Sequence, residues 1–310
     1  MKIVIPEVLL EGPLARLQAQ HTVHYEPALL GQPERLIDAV RDADCIIIRN
    51  RTQLRGALLD AMTRCRVVGR QGVGLDNIDT DTCRARGIEV IPAIGANARS
   101  VAEYVVTTAM MLLRGTYGAS AAVAAGTWPR ASLGNGREIY GRTLGIIGFG
   151  SIGQVTAALA RRMEMRLVAY DPSLTKDAPA LQEHDCTLLP LDEVLAVSDV
   201  ITLHMPLIEQ TRHLINAARL ARMKPDAVLI NAARGGIVDE PALAEALRAG
   251  RLHGAALDVF ETEPLGPGSA LAEVPNLLLT PHIAGVTADS EVRVSNLVVD
   301  RVLAALERLQ

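Results

Sequence analysis

Cysteine is scarce, and the few that occur are scattered. The four residues Cys45, Cys65, Cys83 and Cys186 include no C-x-x-C pair, which argues against a zinc site and against a disulfide framework. A reducing compartment follows, and a cytoplasmic location is expected. Long apolar runs are missing as well: none approaches the roughly 18 residues of a spanning helix. The opening MKIVIPEVLLEG is broken by Pro6 and Glu7 too early for a signal peptide. Neither sign of charge dominates, since 31 Lys and Arg are interspersed with 35 Asp and Glu, for a net charge of −4. No basic face advertises nucleic acid or an anionic membrane, and neither partner is expected. Internal repeats and low-complexity tracts are absent. His21, His24, His184 and His253 lack acidic or cysteine partners at metal-ligand spacing, so no metal is expected.

What is present is apolar and periodic. A chain of 310 residues, 49% hydrophobic with mean hydropathy +0.21, can bury a large core, and its length suggests two domains. Short β-branched runs alternate with helical segments: KIVI (2–5), CIIIR (45–49), VVG (67–69) and IEVI (88–91). A second series follows in TLGIIG (143–148), RLVAYD (166–171), DVITLH (199–204), AVLINAAR (227–234), GAALDVF (254–260) and NLLLTPH (276–282). These runs show no strict polar alternation, as expected of parallel strands covered by helices on both faces. The reading is an α/β chain of two doubly wound parallel-sheet domains. Two long helices bracket the second series. One is SVAEYVVTTAMMLLRG (100–115), where Ser100 and Glu103 have capping-box spacing and Gly115 can end the helix. The other covers 287–310, with a stripe through Val298, Val302, Leu306 and Leu309. The expected division is a discontinuous substrate domain, 1–97 with 287–310, and a dinucleotide-binding domain, 98–286, with a cleft between them.

GIIGFGSIGQ holds Gly148, Gly150 and Gly153 in G-x-G-x-x-G spacing, after one expected strand and opening a helix. The three positions suit a tight turn, room for a pyrophosphate against the backbone, and close contact of helix with strand. The helix N-terminus adds free N–H groups and a positive dipole end. The next strand ends at Asp171, 18 residues after Gly153, where a carboxylate can accept bonds from both ribose hydroxyls and repel a 2′-phosphate. NAD is expected rather than NADP. The plainer alternative is an Asp that starts the turn DPS.

His282, directly after an apolar run and Pro281, could be a catalytic acid/base or only a polar residue ending a strand. Its neighbours favour the first. Arg234 follows VLINAA and Glu263 follows AALDVFET, so three adjacent strand ends release a guanidinium, a carboxylate and an imidazole. Ligands gather at the carboxyl ends of strands in an open parallel sheet. Arg can grip a carboxylate in bidentate fashion and polarise a carbonyl, and His can carry a hydroxyl proton near neutral pH. Glu on the far imidazole nitrogen would fix the tautomer and support the protonated ring. The set suits hydride transfer at a 2-hydroxy acid.

On these residues the chain resembles the D-isomer-specific 2-hydroxyacid dehydrogenases, and within them the phosphoglycerate dehydrogenases most closely. The likeness runs through VGRQGVGLDNID (68–79), NARSVAEYV (97–105), GRTLGIIGFGSIGQ (141–154), LHMPL (203–207), NAARGGIVDE (231–240), LDVFETEP (257–264) and TPHIAG (280–285). The resemblance implies a flavodoxin-like substrate domain beside a Rossmann NAD-binding domain. It implies Arg234, Glu263 and His282 as the catalytic set. Cofactor contacts are implied at Ser151, Ile152, Asp171, Met205, Pro206, Ala232 and Asp258, beside the glycines of the loop. The backbone amides of Val73 and Gly74 are implied for the substrate carboxylate. Arg49 and Arg70 match positions that help hold a phosphate, and Arg51 lies nearby; ordinary solvated arginines at a strand end remain the alternative. A 2-hydroxy or 2-keto acid partner and a homodimer are expected.

Many phosphoglycerate dehydrogenases carry regulatory domains after the last helix, whereas this chain stops at Gln310, so serine feedback is not expected. The related enzymes act on glycerate, glyoxylate, hydroxypyruvate, lactate, sulfolactate and phosphite, which leaves the substrate open. A dianionic keto acid such as 3-phosphohydroxypyruvate is expected over pyruvate and glyoxylate. A non-enzymatic alternative is an NADH-responsive scaffold like the C-terminal binding proteins, which have the same fold but carry extra tails. His204 is read as shaping the adenine-side loop, His213 as packing beside a helix, and Asp76 and Asp79 as turn and N-cap residues.

Overall fold

The computed structural model describes residues 1–309, which form two compact units, 1–97 with 286–309 and 98–285. In the first unit five strands, β1 (Lys2–Ile5), β2 (Thr22–Tyr25), β3 (Cys45–Ile48), β4 (Val67–Arg70) and β5 (Glu89–Pro92), form an all-parallel sheet in the order β2-β1-β3-β4-β5. This is the flavodoxin-like doubly wound order. The missing polar alternation has a direct cause. Ile3, Ile5 and Ile47 pack on one face against Val298, Val302 and Leu306 of the final helix, while Val4, Ile46 and Ile48 pack on the other with Leu36 and Leu59. Successive side chains point to opposite faces, and both faces are covered. The final helix, Ala288–Glu307, starts from a reciprocal capping box between Thr287 and Ser290.

The second unit holds seven parallel strands: β6 (Thr143–Ile147), β7 (Arg166–Tyr170), β8 (Cys186–Leu188), β9 (Val200–Leu203), β10 (Val228–Asn231), β11 (Gly254–Leu257) and β12 (Leu277–Leu279). Their order, β12-β11-β10-β9-β6-β7-β8, reverses direction between β6 and β9. That reversal opens a crevice at the carboxyl ends, the place where this topology binds ligands. The helix Ala98–Arg114 buries Val101, Val105, Ala109 and Leu112 against Leu144, Ile146 and Ile230 on one face of the sheet. It begins two residues before the expected cap. Ser100 is therefore inside the helix and buried, and Glu103 pairs with Arg99 one turn back instead of closing a box. Gly115, at φ 67°, does end it.

Candidate active site

The Gly-rich turn is built by close contacts. Gly148 has φ 94°, and a Cβ there would sit 2.5 Å from the carbonyl oxygen of His204; a Cβ on Gly153 would sit 2.4 Å from that of Gly148. Both positions exclude any side chain. A Cβ on Gly150 would meet nothing within 4 Å, so the space in front of the turn is open. Gly150 caps the helix Ser151–Arg162 without a side-chain hydrogen bond, which leaves the amides of Ser151 and Ile152 for an anionic group.

Asp171 stands directly after β7. Its Oδ2 accepts the Phe149 amide at 2.8 Å, and its Oδ1 accepts the Ser173 amide at 2.9 Å and hydroxyl at 2.7 Å. Burial raises its carboxyl, but these hydrogen bonds outweigh burial and hold it below the ordinary value. An ionised carboxylate is thus fixed beside the glycine turn. Met205 and Pro206 follow β9, and Ala232 follows β10, all at carboxyl ends of strands flanking the crevice. A cradle that a side chain would fill, an uncapped helix start and a fixed carboxylate together fit a dinucleotide.

The three strand-end residues are held by a common scaffold. The Nδ1 of His282 lies 2.7 Å from Oε2 of Glu263, while Oε1 of Glu263 accepts the Phe260 amide at 3.0 Å. Because the carboxylate only accepts, Nδ1 carries the hydrogen and Nε2 is the nitrogen left for proton exchange. Arg234 follows a turn braced by Asn231, whose Nδ2 donates to the Arg234 carbonyl at 2.9 Å and whose Oδ1 accepts the Ala233 amide at 3.1 Å. The next residue, Gly235, packs directly on the Phe260–Glu261 peptide, joining the arginine turn to the turn that carries Glu263.

Asp258 is buried at the end of β11 and accepts three hydrogen bonds: from the Thr280 hydroxyl at 2.6 Å and from the amides of Ile283 and Ala284, each at 2.8 Å. His282 between them has the left-handed φ of 53°, and its amide donates to the Asp258 carbonyl at 2.7 Å. The Tyr104 hydroxyl lies 2.7 Å from Oγ1 of Thr280. Tyr104, Thr280 and Gly235 are absent from the residues singled out in the sequence. Thr280 has a local signal, standing two positions before His282; Tyr104, 176 positions from Thr280, has none.

The residues implied for substrate lie in the first unit. Glu7, buried after β1, accepts the amides of Arg49 at 2.8 Å, Thr52 at 3.0 Å and Arg51 at 3.3 Å, shaping the loop after β3. The Arg49 guanidinium makes a two-pronged ion pair with Glu291 of the final helix, one prong at 2.6 Å. Arg70 is buried, with Nη1 donating to the Gln71 carbonyl at 2.7 Å, folded over Gly72 so closely that a Cβ there would lie 2.0 Å from Nη1. Val73 and Gly74 follow in the same turn after β4.

His204 is half-buried, with Nε2 3.1 Å from the Thr202 hydroxyl, and loss of solvent around the ring pulls it down to about 3. His213 does not simply pack beside a helix: its Nε2 lies 2.5 Å from Oε1 of Glu261. Asp79 caps the helix Thr80–Ala85 through the Thr82 amide. Among the described residues no cluster of three or more His, Cys, Asp or Glu could hold a metal ion, and no helix is long and apolar enough to cross a membrane.

The D-isomer specific 2-hydroxyacid dehydrogenase NAD binding domain matches residues 106–284. The chain is 46% identical to the (S)-sulfolactate dehydrogenase of Chromohalobacter salexigens over 98% of both chains. It is 40% identical to the D-3-phosphoglycerate dehydrogenase of Synechocystis sp. over 84% of this chain and 46% of that protein. The chain spans about half the length of the phosphoglycerate dehydrogenases it matches. Among solved structures, a protein of Thermus thermophilus superposes with TM-score 0.88 at 33% identity, covering 99% of this chain and 97% of that one.

Proposed function

Since the chain belongs to the D-isomer specific 2-hydroxyacid dehydrogenase family, we propose that Arg234, Glu263 and His282 carry its chemistry and that its substrate bears a second anionic group. The protein is an NAD-dependent oxidoreductase of 2-hydroxy acids. The observation that carries the assignment of roles is the 2.7 Å contact of His282 Nδ1 with Glu263. When bound, NAD supplies the acceptor or donor of the hydride at C2. The turn of Gly148, Gly150 and Gly153, with the amides of Ser151 and Ile152, would hold its pyrophosphate, and Asp171 its adenosine ribose. Met205, Pro206, Ala232 and Asp258 are proposed to line its remaining length.

In oxidation Nε2 of His282 takes the hydroxyl proton as C2 becomes a carbonyl, and in reduction it returns that proton to the nascent alkoxide. Glu263 keeps the proton on Nδ1 and stabilises the imidazolium by its charge. Arg234 grips the substrate carboxylate and polarises the carbonyl, with the amides of Val73 and Gly74 as further carboxylate donors. Replacing His282 with Ala should lower kcat by about 10²- to 10⁴-fold, the ordinary loss of a general acid, with the NADH dissociation constant little changed. Near-normal kcat in that variant would return His282 to a structural role.

The second anionic group is supported by Arg49, Arg51 and Arg70, which a substrate as small as pyruvate would not use. It is supported also by the relative matched over its whole length, named for sulfolactate, which carries a sulfonate as well as a carboxylate. A panel of 3-sulfopyruvate, 3-phosphohydroxypyruvate, hydroxypyruvate, glyoxylate and pyruvate, followed by NADH oxidation, decides the point. A clear preference for glyoxylate or hydroxypyruvate would retire the dianion. We also propose a homodimer, supported by the exposed Tyr117, Val123, Trp128 and Tyr140 that follow the helix Ala98–Arg114, and checked by sedimentation. A cytoplasmic location is supported by four free, buried thiols.

A further inference from the structure

We infer that Tyr104 is a positioning residue for His282, acting through the Thr280 hydroxyl and the Asp258 carboxylate. This rests on the acid/base reading of His282 and adds to it the device that holds the imidazole in place. The direction of the relay follows from its chemistry. Asp258 accepts the Thr280 hydroxyl at 2.6 Å, which uses the single proton that Thr280 can donate. The 2.7 Å contact between Thr280 and Tyr104 must then run from the phenol to Oγ1 of Thr280. Burial, above all, raises the Tyr104 phenol, so it stays a donor through the neutral range.

The far end of the relay is the backbone around His282. The carboxylate that receives Thr280 also takes the amides of Ile283 and Ala284, at 2.8 Å each, directly after His282. His282 itself sits at φ 53°, a conformation that a residue with a Cβ holds only where its surroundings over-determine it. Tyr104 anchors this arrangement to the helix Ala98–Arg114, whose apolar face is part of the core. With the phenol in place, the Thr280 hydroxyl can point only at Asp258. Without it, Thr280 can rotate, one of the three donors on Asp258 is lost, and the imidazole loses its fixed approach to Glu263.

The test compares Tyr104→Phe, Thr280→Val and Thr280→Ser in the full chain. Tyr104→Phe and Thr280→Val should each lower kcat about tenfold, short of the roughly 10²-fold that a 1 Å misplacement causes. The NADH dissociation constant should rise far less than kcat falls, because Asp258 keeps its charge and its two amide donors, and Thr280→Ser, which keeps the hydroxyl, should retain nearly full kcat. Because both changes cut the same relay, the double variant should lose no more than either single one. Lower melting temperatures with unchanged kcat in Tyr104→Phe and Thr280→Val would overturn the inference, as would equal losses in Thr280→Ser and Thr280→Val. If Tyr104→Phe fails to fold, the two Thr280 variants still decide. His282→Ala separates the two levels: if it keeps kcat the acid/base reading fails, and if it alone abolishes turnover only the role of Tyr104 does.

Discussion

A Cβ placed on Gly235 would lie 1.8 Å from the carbonyl oxygen of Phe260. No real Cβ tolerates that distance, and the obstacle is backbone on both sides, so neither partner can rotate away. Gly235 follows Arg234, and Phe260 begins the turn whose amide binds Glu263 at 3.0 Å. Gly235→Ala must therefore push the arginine turn away from the glutamate turn by about 1 Å or more, which predicts a loss of kcat/KM of about 10²-fold. Steady-state kinetics with a melting curve as control will show it. Retained turnover in a folded Gly235→Ala protein would mean that Arg234 and Glu263 need not keep their spacing.

The contact proposed between Asp171 and the adenosine ribose predicts a choice between cofactors. Its carboxylate stays ionised beside the glycine turn, and a 2′-phosphate next to it would meet like charge at a partly buried position, a penalty on the order of a few kcal/mol. Asp171→Asn keeps an oxygen for the Phe149 amide while removing the charge. It should raise KM for NADH and lower it for NADPH. The assignment fails if the unaltered enzyme uses both cofactors with equal kcat/KM.

The sequence reveals strands where both faces are covered and hides two of the four edge strands, since the edges β5 and β12 still carry apolar runs. β3, β4, β9, β10 and β11 are buried throughout and stand out as apolar runs, broken only by Thr202 and by the terminal Arg70 and Asn231. β2 and β8 carry no such run, because they are edge strands of their sheets, partly exposed and mixed in composition. The S-x-x-E spacing at Ser100 suggests a helix start, but the same spacing serves a mid-helix turn, and burial of Ala98 extends the helix backwards. The strand-end residues Arg234, Glu263 and His282 are legible because each closely follows its apolar run. The clamp on Asp258 is not, because its donors come from more than 20 positions away and their meeting depends on the β11–β12 pairing.

His204 predicts a pH dependence of stability. Folded, loss of solvent around the ring keeps it neutral down to about 3; unfolded, it takes up a proton near its ordinary 6.5. Below 6.5 the unfolded chain therefore binds the extra proton, and stability falls as pH falls, by up to about 1.4 kcal/mol per pH unit, until the folded ring titrates. Asp171 and Asp199, both held below the ordinary 3.8, lose their contributions only at lower pH. His21, lowered chiefly by burial, adds in the same direction. Between about pH 7.5 and about pH 4.5 the melting temperature of the unaltered protein should fall more steeply than that of His204→Gln. Parallel curves would show that the ring is protonated in the folded state without penalty.

The pair of Arg49 with Glu291 makes the charge of the first unit's arginine loop adjustable. Glu291 sits in the first turn of the final helix and neutralises Arg49 by a two-pronged contact, so the second anion proposed for the substrate would meet a compensated guanidinium. Glu291→Gln would leave the arginine charge unopposed while keeping a hydrogen-bond acceptor for it. KM for a dianionic keto acid should then drop about threefold to fivefold, the scale of a partly exposed charge pair worth up to about 1 kcal/mol. KM for a monoanionic acid should hardly change, and the gain should fade as salt screens it. Arg49→Ala should act in the opposite sense, because it strands the Glu291 carboxylate where the anion would bind, and adding Glu291→Gln to it should recover part of the loss. If Arg49 only fastens the final helix to the sheet, both variants will lower the melting temperature and leave the ratio of the two KM values unchanged.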